Sequence, residues 1–217
     1  MSAPIPLYLF GAGGHGKVVA EAALRAGRYE LRAFLDDDRA RWGTQWNGLP
    51  VIGGMDVVEL LEEGAEIALT LGGNRRRAGL AEAVQTHGRR LATVVHPAAV
   101  IASGVRIGEG TYVGPLAVLH SDATVGRACI VNTGAVVEHD CRLEDWVHIS
   151  PRAALGGGAC VREGAHVGLG AILLPGLTLG PWATLGAGAV MVRSLPGSVT
   201  AVGVPALVRE TAGSKTS

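Results

Sequence analysis

From Val95 to Leu185, every sixth residue is Val, Ile or Leu, sixteen positions without a break. The position four beyond each is small almost throughout, as in Ala99, Thr111, Ala117, Ala123, Cys129, Ala135 and Cys141. A period of six is not helical. It suits short strands joined by turns and wound into a parallel β-helix, with the aliphatic position inside and the small one where the wall bends. The pattern leaves no room for a long inserted loop.

The residues before Val95 follow a different rhythm. Pro6 to Phe10 reads as a buried strand. It is followed by Gly11-Ala12-Gly13-Gly14-His15-Gly16 and a helix over residues 17–26 that ends at Gly27. A strand from Leu31 to Leu35 runs into Asp36-Asp37-Asp38. Asp56 and Glu59 have capping-box spacing for a helix from Val57 to Glu62. Strand Ile67–Leu71 leads to Gly72-Gly73-Asn74 and a helix with a basic start, and a last strand, Leu91–Val95, feeds the repeat. The expected fold is an α/β Rossmann-like region over residues 1–94 followed by an all-β parallel β-helix with a tail over residues 95–217.

A G-x-G-x-x-G loop with an acid some 20 residues later normally points to NAD. A dinucleotide needs two mononucleotide halves, and the length before the repeat supplies one. One glycine loop and one helix N-terminus suit a single diphosphate, held by the amides around Gly13, Gly14, His15 and Gly16. Asp36 is then placed to accept hydrogen bonds from a ribose or base. The plainer alternative is a glycine set that only makes a tight turn.

Charge and composition narrow the classes. The 19 basic and 19 acidic side chains cancel, so nothing draws the chain to nucleic acid or to an anionic membrane. No apolar run reaches the roughly 18 residues of a membrane span, and the start has no signal-peptide pattern. Cys129, Cys141 and Cys160 form neither a disulfide framework nor a metal-ligand set; they read as small hydrophobes in a reducing, cytoplasmic setting. The 33 glycines imply many turns or close backbone contacts. Few reactive side chains interrupt the repeat. The densest group is Asn132-Thr133, Glu138-His139-Asp140 and His148.

These segments resemble the sugar acetyltransferases with hexapeptide repeats that make bacillosamine-type sugars, perosamine and O-acetylated sialic acids. The resemblance rests on Gly11 to Lys17, Leu35-Asp36-Asp37, Gly72-Gly73-Asn74, Val131-Asn132-Thr133, Val137 to Cys141, Trp146 to Ser150 and Val202 to Ala206. It implies a left-handed β-helix with three hexapeptides per coil. Sixteen of them would make about five coils, roughly 25 Å tall. Neighbours along the prism then lie 18 residues apart, placing His148 by His166, His120 by Glu138, and Trp146 and Trp182 in one column around Gly164. His139 and His148, half a coil apart, belong to different faces and would meet across a subunit boundary.

The resemblance further implies acetyl transfer from acetyl-CoA, without a metal, to an amino sugar on a nucleoside diphosphate. His139 would be the base, Asp140 its orienting acid in place of a more usual Glu, and Gly157 the oxyanion amide. Acetyl-CoA would contact His148, the groove residues Gly168, Leu169, Gly186 and Ala187, and a cap containing Val204 and Pro205. The nucleotide sugar would contact Gly13, Gly14, His15, Gly16, Asp36, Asp37, Gly72 and Asn74. A homotrimer with shared sites is expected. Transfer to a sugar hydroxyl and a non-catalytic nucleotide-sugar scaffold remain open alternatives. A γ-type carbonic anhydrase is disfavoured because no His-x4-His pair exists.

Overall fold

The computed structural model describes residues 3–209. The N-terminal part begins with β1 (Ile5–Phe10), α1 (Gly14–Ala26) and β2 (Tyr29–Leu35). A small hairpin follows, β3 (Gln45–Trp46) and β4 (Leu49–Pro50). Then come β5 (Glu66–Leu69), α2 (Asn74–Thr86) and β6 (Arg90–Leu91). The parallel sheet runs β2-β1-β5-β6. Strand order reverses at β1, so the crevice beyond the ends of β1 and β5 is a topological switch point, where such sheets bind ligands. Helix α1 buries Val19, Ala20, Ala22 and Ala23, and Gly27 closes it in the left-handed conformation, φ 68°.

Three sequence expectations change here. The helix after the glycine loop begins at Gly14, with Gly13 as its cap, so the loop is the first helical turn. The capping box does not form. Asp56 accepts instead from the Gly54 amide, Glu59 meets His87 Nδ1 at 2.7 Å, and the segment is a 3-10 helix, Met55–Leu60. The strand placed at Leu91–Val95 divides, because Leu91 pairs with Ile67 in the first sheet while Val94–Val95 starts the coil.

The coil is a three-faced parallel β-helix of two-residue strands. Its faces start at Val94–Val95, Val100–Ile101 and Arg106–Ile107, and carry seven, six and five parallel strands, the first extended by the antiparallel Leu207–Val208. The aliphatic series fills the interior: Leu119, Val137, Ile149, Leu155, Val167 and Leu185 are at most 1 % exposed, and the small series beside it, from Ala117 to Ala189, is equally buried except at the half-buried Leu177. Every sixth residue from Gly104 to Gly188 has a positive φ, whether glycine or not; Asp140 (59°), Trp146 (60°) and Trp182 (56°) are among them. This left-handed residue turns each corner.

The coil outlasts the sequence pattern by a turn. Val190–Met191 joins the second face, Leu195 bridges Leu179 on the third, and Thr200–Val202 lies on Thr184–Leu185 of the first. The second face thus has six strands, one per turn, rather than five. The step from Met191 to Leu195 is four residues, so a search at six loses the register.

The three faces differ outside. The second presents Val100, Val118, Val136, Ala154, Ile172 and Val190, apolar at every level. The third presents Arg106, Thr124, Arg142, Cys160 and Thr178. On the first, Tyr112 and Ile130 are buried against the N-terminal core of Leu7, Val19 and Phe34. Cys129 and Cys141 are interior corner residues as expected, whereas Cys160 stands half-buried on the third face. Among the described residues no helix is long and apolar enough to cross a membrane.

Candidate active site

Three separate features carry chemistry. The first is a cleft of about 370 Å³ at the switch point, lined by Gly11, Gly13, Gly14, His15, Asp36, Asp38, Arg41, Thr70, Leu71, Gly72 and Arg76. Its glycines divide into two kinds. A methyl group on Gly11 would stand 2.7 Å from Thr70 Oγ1, and one on Gly16 would stand 2.8 Å from Phe34 Cε1. Those two are glycine for packing. Nothing lies within 4 Å of the same position on Gly13 or Gly14, so these leave room in front of the α1 N-terminus, where a helix favours an anion.

The acids around the cleft are already engaged. Asp36 Oδ2 accepts from the Ala12 amide at 2.8 Å and Oδ1 from the Asp38 amide at 2.9 Å, which ties the glycine loop to the end of β2. Asp37 accepts from the Met55 amide at 3.0 Å and does not line the cleft. Arg41 donates to the Ala12 carbonyl, and Trp46 Nε1 donates to Gly13 O at 3.2 Å. The sequence reading missed Arg41 and Arg76, two cations facing the cleft. Arginines on a short turn and a helix start read as solvated charge until the fold brings them together.

The second feature is the seam between the N-terminal part and the first face. His148 and His166 stack at 4.8 Å, as their 18-residue spacing requires. His166 Nε2 lies 2.8 Å from Ser150 Oγ, and His148 Nε2 lies 3.4 Å from Asn132 Nδ2. His15 meets Tyr112 edge-on at 5.2 Å. Burial, aided by the charge of Arg77, pulls His15 down to about 4. Burial and the neighbouring His166 bring His148 to about 3. Both rings are therefore neutral at neutral pH. Asn74 faces the seam rather than the cleft, with Nδ2 donating to Gly164 O and Ala165 O at 3.0 and 3.1 Å. Gly164 leaves room for Trp182, which stacks on Trp146 at 6.2 Å.

The third feature is the corner between the second and third faces. His139 sits there, well exposed, with Nδ1 2.8 Å from Asp140 Oδ2. A carboxylate only accepts, so Nδ1 carries the proton and Nε2 keeps its lone pair. That hydrogen bond to Asp140 raises the His139 pKa above the ordinary histidine value. The left-handed backbone of Asp140 aims its short arm back at the ring. One coil along, a methyl on Gly157 would stand 2.6 Å from both Cε1 and Nε2 of His139, so the ring lies directly on Gly157. On the coil before, His120 Nε2 lies 3.8 Å from Glu138 Oε1.

The expected acyl groove lies elsewhere, at the corner between the first and second faces. A methyl on Gly168 would meet Leu185 O at 2.6 Å, and one on Gly186 would meet Val202 Cγ1 at 2.7 Å. Close coil packing alone therefore accounts for these two glycines. Leu169 and Val204 stand exposed beside them, at 58 % and 72 %. Val204 and Pro205 belong to the hairpin turn between Thr200–Val202 and Leu207–Val208. Within one chain, this corner and His139 occupy opposite edges of the apolar second face. Among the described residues no group of three or more His, Cys, Asp or Glu is placed to hold a metal.

Known proteins match this arrangement over nearly its whole length. The PglD N-terminal domain family matches residues 6–84. UDP-N-acetylbacillosamine N-acetyltransferase of Bacillus subtilis (strain 168) is 39 % identical over 107 residues. That alignment spans 48 % of this chain and about half, 49 %, of the relative. The perosamine N-acetyltransferase of Caulobacter crescentus was solved as a histidine-to-asparagine mutant in complex with CoA and GDP-perosamine. It superposes with a TM-score of 0.90 at 39 % identity, covering 96 % of this chain and 99 % of that one. The acetyltransferase domain of PglB from Neisseria gonorrhoeae, in complex with acetyl coenzyme A, also gives 0.90 at 39 % identity, over 95 % and 100 %. With the same helix, the same N-terminal fold and this identity end to end, the chain belongs to the left-handed β-helix family of nucleotide-sugar acetyltransferases.

Proposed function

We propose that this protein transfers the acetyl group of acetyl-CoA to the amino group, at C4, of a 4-amino-4,6-dideoxy sugar carried on GDP or UDP. The observation that carries the reading is the His139–Asp140 pair lying on Gly157, with Nε2 unbonded and basic. The sugar amine arrives as an ammonium. His139 Nε2 takes its proton while Asp140 steadies the imidazolium. The free amine attacks the thioester carbonyl, and the Gly157 amide receives the oxyanion. The nitrogen sheds its extra proton to solvent as the C–S bond breaks, and the CoA thiolate takes the proton held by His139. The cleft residues Gly13, Gly14, Arg41 and Arg76 hold the diphosphate.

We further propose a homotrimer. The outward second face is apolar at six levels, and the base and the acyl groove lie at its two edges. Packing three such faces about an axis buries them, and brings His139 of one chain beside the Leu169–Ala187 corner of the next. Use of acetyl-CoA as donor, together with the free cysteines, supports a cytoplasmic enzyme.

The test is a panel of GDP- and UDP-linked 4-amino sugars, with the corresponding hydroxyl sugars as controls, scored by CoA release. Release with an amino sugar is expected. It should fall about 10² to 10⁴-fold in His139→Asn with CoA still bound. Release only with hydroxyl sugars, or none with any acceptor, contradicts the proposal.

A further inference from the structure

The largest fully buried side chain is a charged one. Arg77 is 1 % exposed. Burial lowers its pKa to about 10, so it remains a cation at neutral pH. Every oxygen it bonds is neutral. A buried charge without an acid is costly unless all of its hydrogen-bonding capacity is met.

Here it is met in full. Nε donates to Ala128 O at 2.7 Å. Nη1 donates to Leu71 O and Gly72 O at 3.1 and 3.2 Å. Nη2 donates to Asn74 Oδ1 at 3.0 Å, Trp146 O at 2.8 Å and, more weakly, Val147 O at 3.4 Å. Five N–H donors reach six acceptors on three bodies. Leu71 and Gly72 line the nucleotide cleft. Asn74 starts α2. Ala128 and Trp146 are left-handed corner residues on successive coils, and Trp146 lies two residues before His148.

Resting on the transfer reaction proposed above, we infer that Arg77 is a positioning residue for it: one planar guanidinium fixes the nucleotide cleft against the β-helix, and so fixes where the sugar is presented. The guanidinium is a rigid fork, whereas a lysine ammonium offers three donors from one point and cannot span the same acceptors. A shift of about 1 Å in a reacting group can cost about 100-fold in rate. The loop itself, and its amides for the diphosphate, need no bond to the β-helix to bind a nucleotide.

The experiment compares the full-length wild type with Arg77→Lys and with Asn74→Ala. The latter removes the Asn74 bonds to Gly164 and Ala165 and one Arg77 acceptor. Circular dichroism reports folding, calorimetry with GDP and UDP reports the cleft, and steady-state kinetics with the amino-sugar nucleotide report transfer. Both variants are expected to bind the nucleoside diphosphate as the wild type does, and to keep the KM for acetyl-CoA. Their kcat should fall about tenfold or more. A kcat within about twofold of wild type in both overturns the inference. So does a kcat that falls only in step with nucleotide affinity, since Arg77 would then merely support the cleft. If Arg77→Lys does not fold, Asn74→Ala decides alone. A wild type inactive with every nucleotide sugar overturns the transfer reading itself; an active wild type with unaffected variants overturns only the role of Arg77.

Discussion

A few side chains carry the chemistry, and their neighbours explain why they suit it. The hydrogen bond from His139 to Asp140 raises the histidine pKa. As the proposed general base, His139 works in its neutral form, so activity should be lost as pH falls through this raised value. Removing the carboxylate lowers the pKa again. Asp140→Asn should therefore move the acid limb of the kcat/KM profile to lower pH while reducing the plateau, because the ring loses its orienting partner. An acid limb that stays in place would detach Asp140 from the base. In the nucleotide cleft, Gly13→Val adds a branched side chain where nothing else stands. It should leave the unfolding temperature nearly unchanged and raise KM for the nucleotide sugar, with little effect on acetyl-CoA. Equal damage to both substrates would mean that the loop serves the fold alone. The glycines, the His-Asp pair and the stacked histidines were legible in the sequence because motif and spacing mark them. Arg41, Arg76 and Arg77 were not. Three consecutive arginines at a helix start carry no sign of which one the fold will bury.

Among the elements, the hexapeptide coil is the part most open to sequence reading, since burial repeats with it. Its end was not legible, because the four-residue step to Leu195 breaks the register while the chain keeps coiling. The left-handed corner residue was hidden as well. Seven of its fifteen positions from Gly104 to Gly188 are not glycine, so composition blurs what backbone geometry makes regular. Two corner glycines separate the causes. Gly176 has φ 69° and open space where a side chain would go. Gly176→Ala should cost about 1 kcal/mol, the strain of a Cβ in that conformation. At Gly164 the same methyl would also lie 2.4 Å from the Trp182 ring. Gly164→Ala should therefore cost several times more, and should disturb the Trp146–Trp182 stack as seen in tryptophan fluorescence. Equal losses for the two in urea unfolding would refute the packing account.

For the whole molecule, the arrangement of faces decides how the parts become one site. The first face is covered by the N-terminal part, the third is largely polar, and the second is apolar, with His139, the proposed base, at one edge and the proposed acyl groove at the other. The central claim is that a working site takes His139 from one chain and the groove from its neighbour. Subunit mixing tests this directly. Chains carrying His139→Asn and chains carrying Ala187→Trp should each be inactive alone. Unfolded together at equal amounts and refolded into mixed trimers, they should recover about a quarter of wild-type CoA release, the share of sites pairing an intact base with an intact groove. Mixed assemblies that form but remain inactive would show that base and groove act within one chain, and would contradict the account.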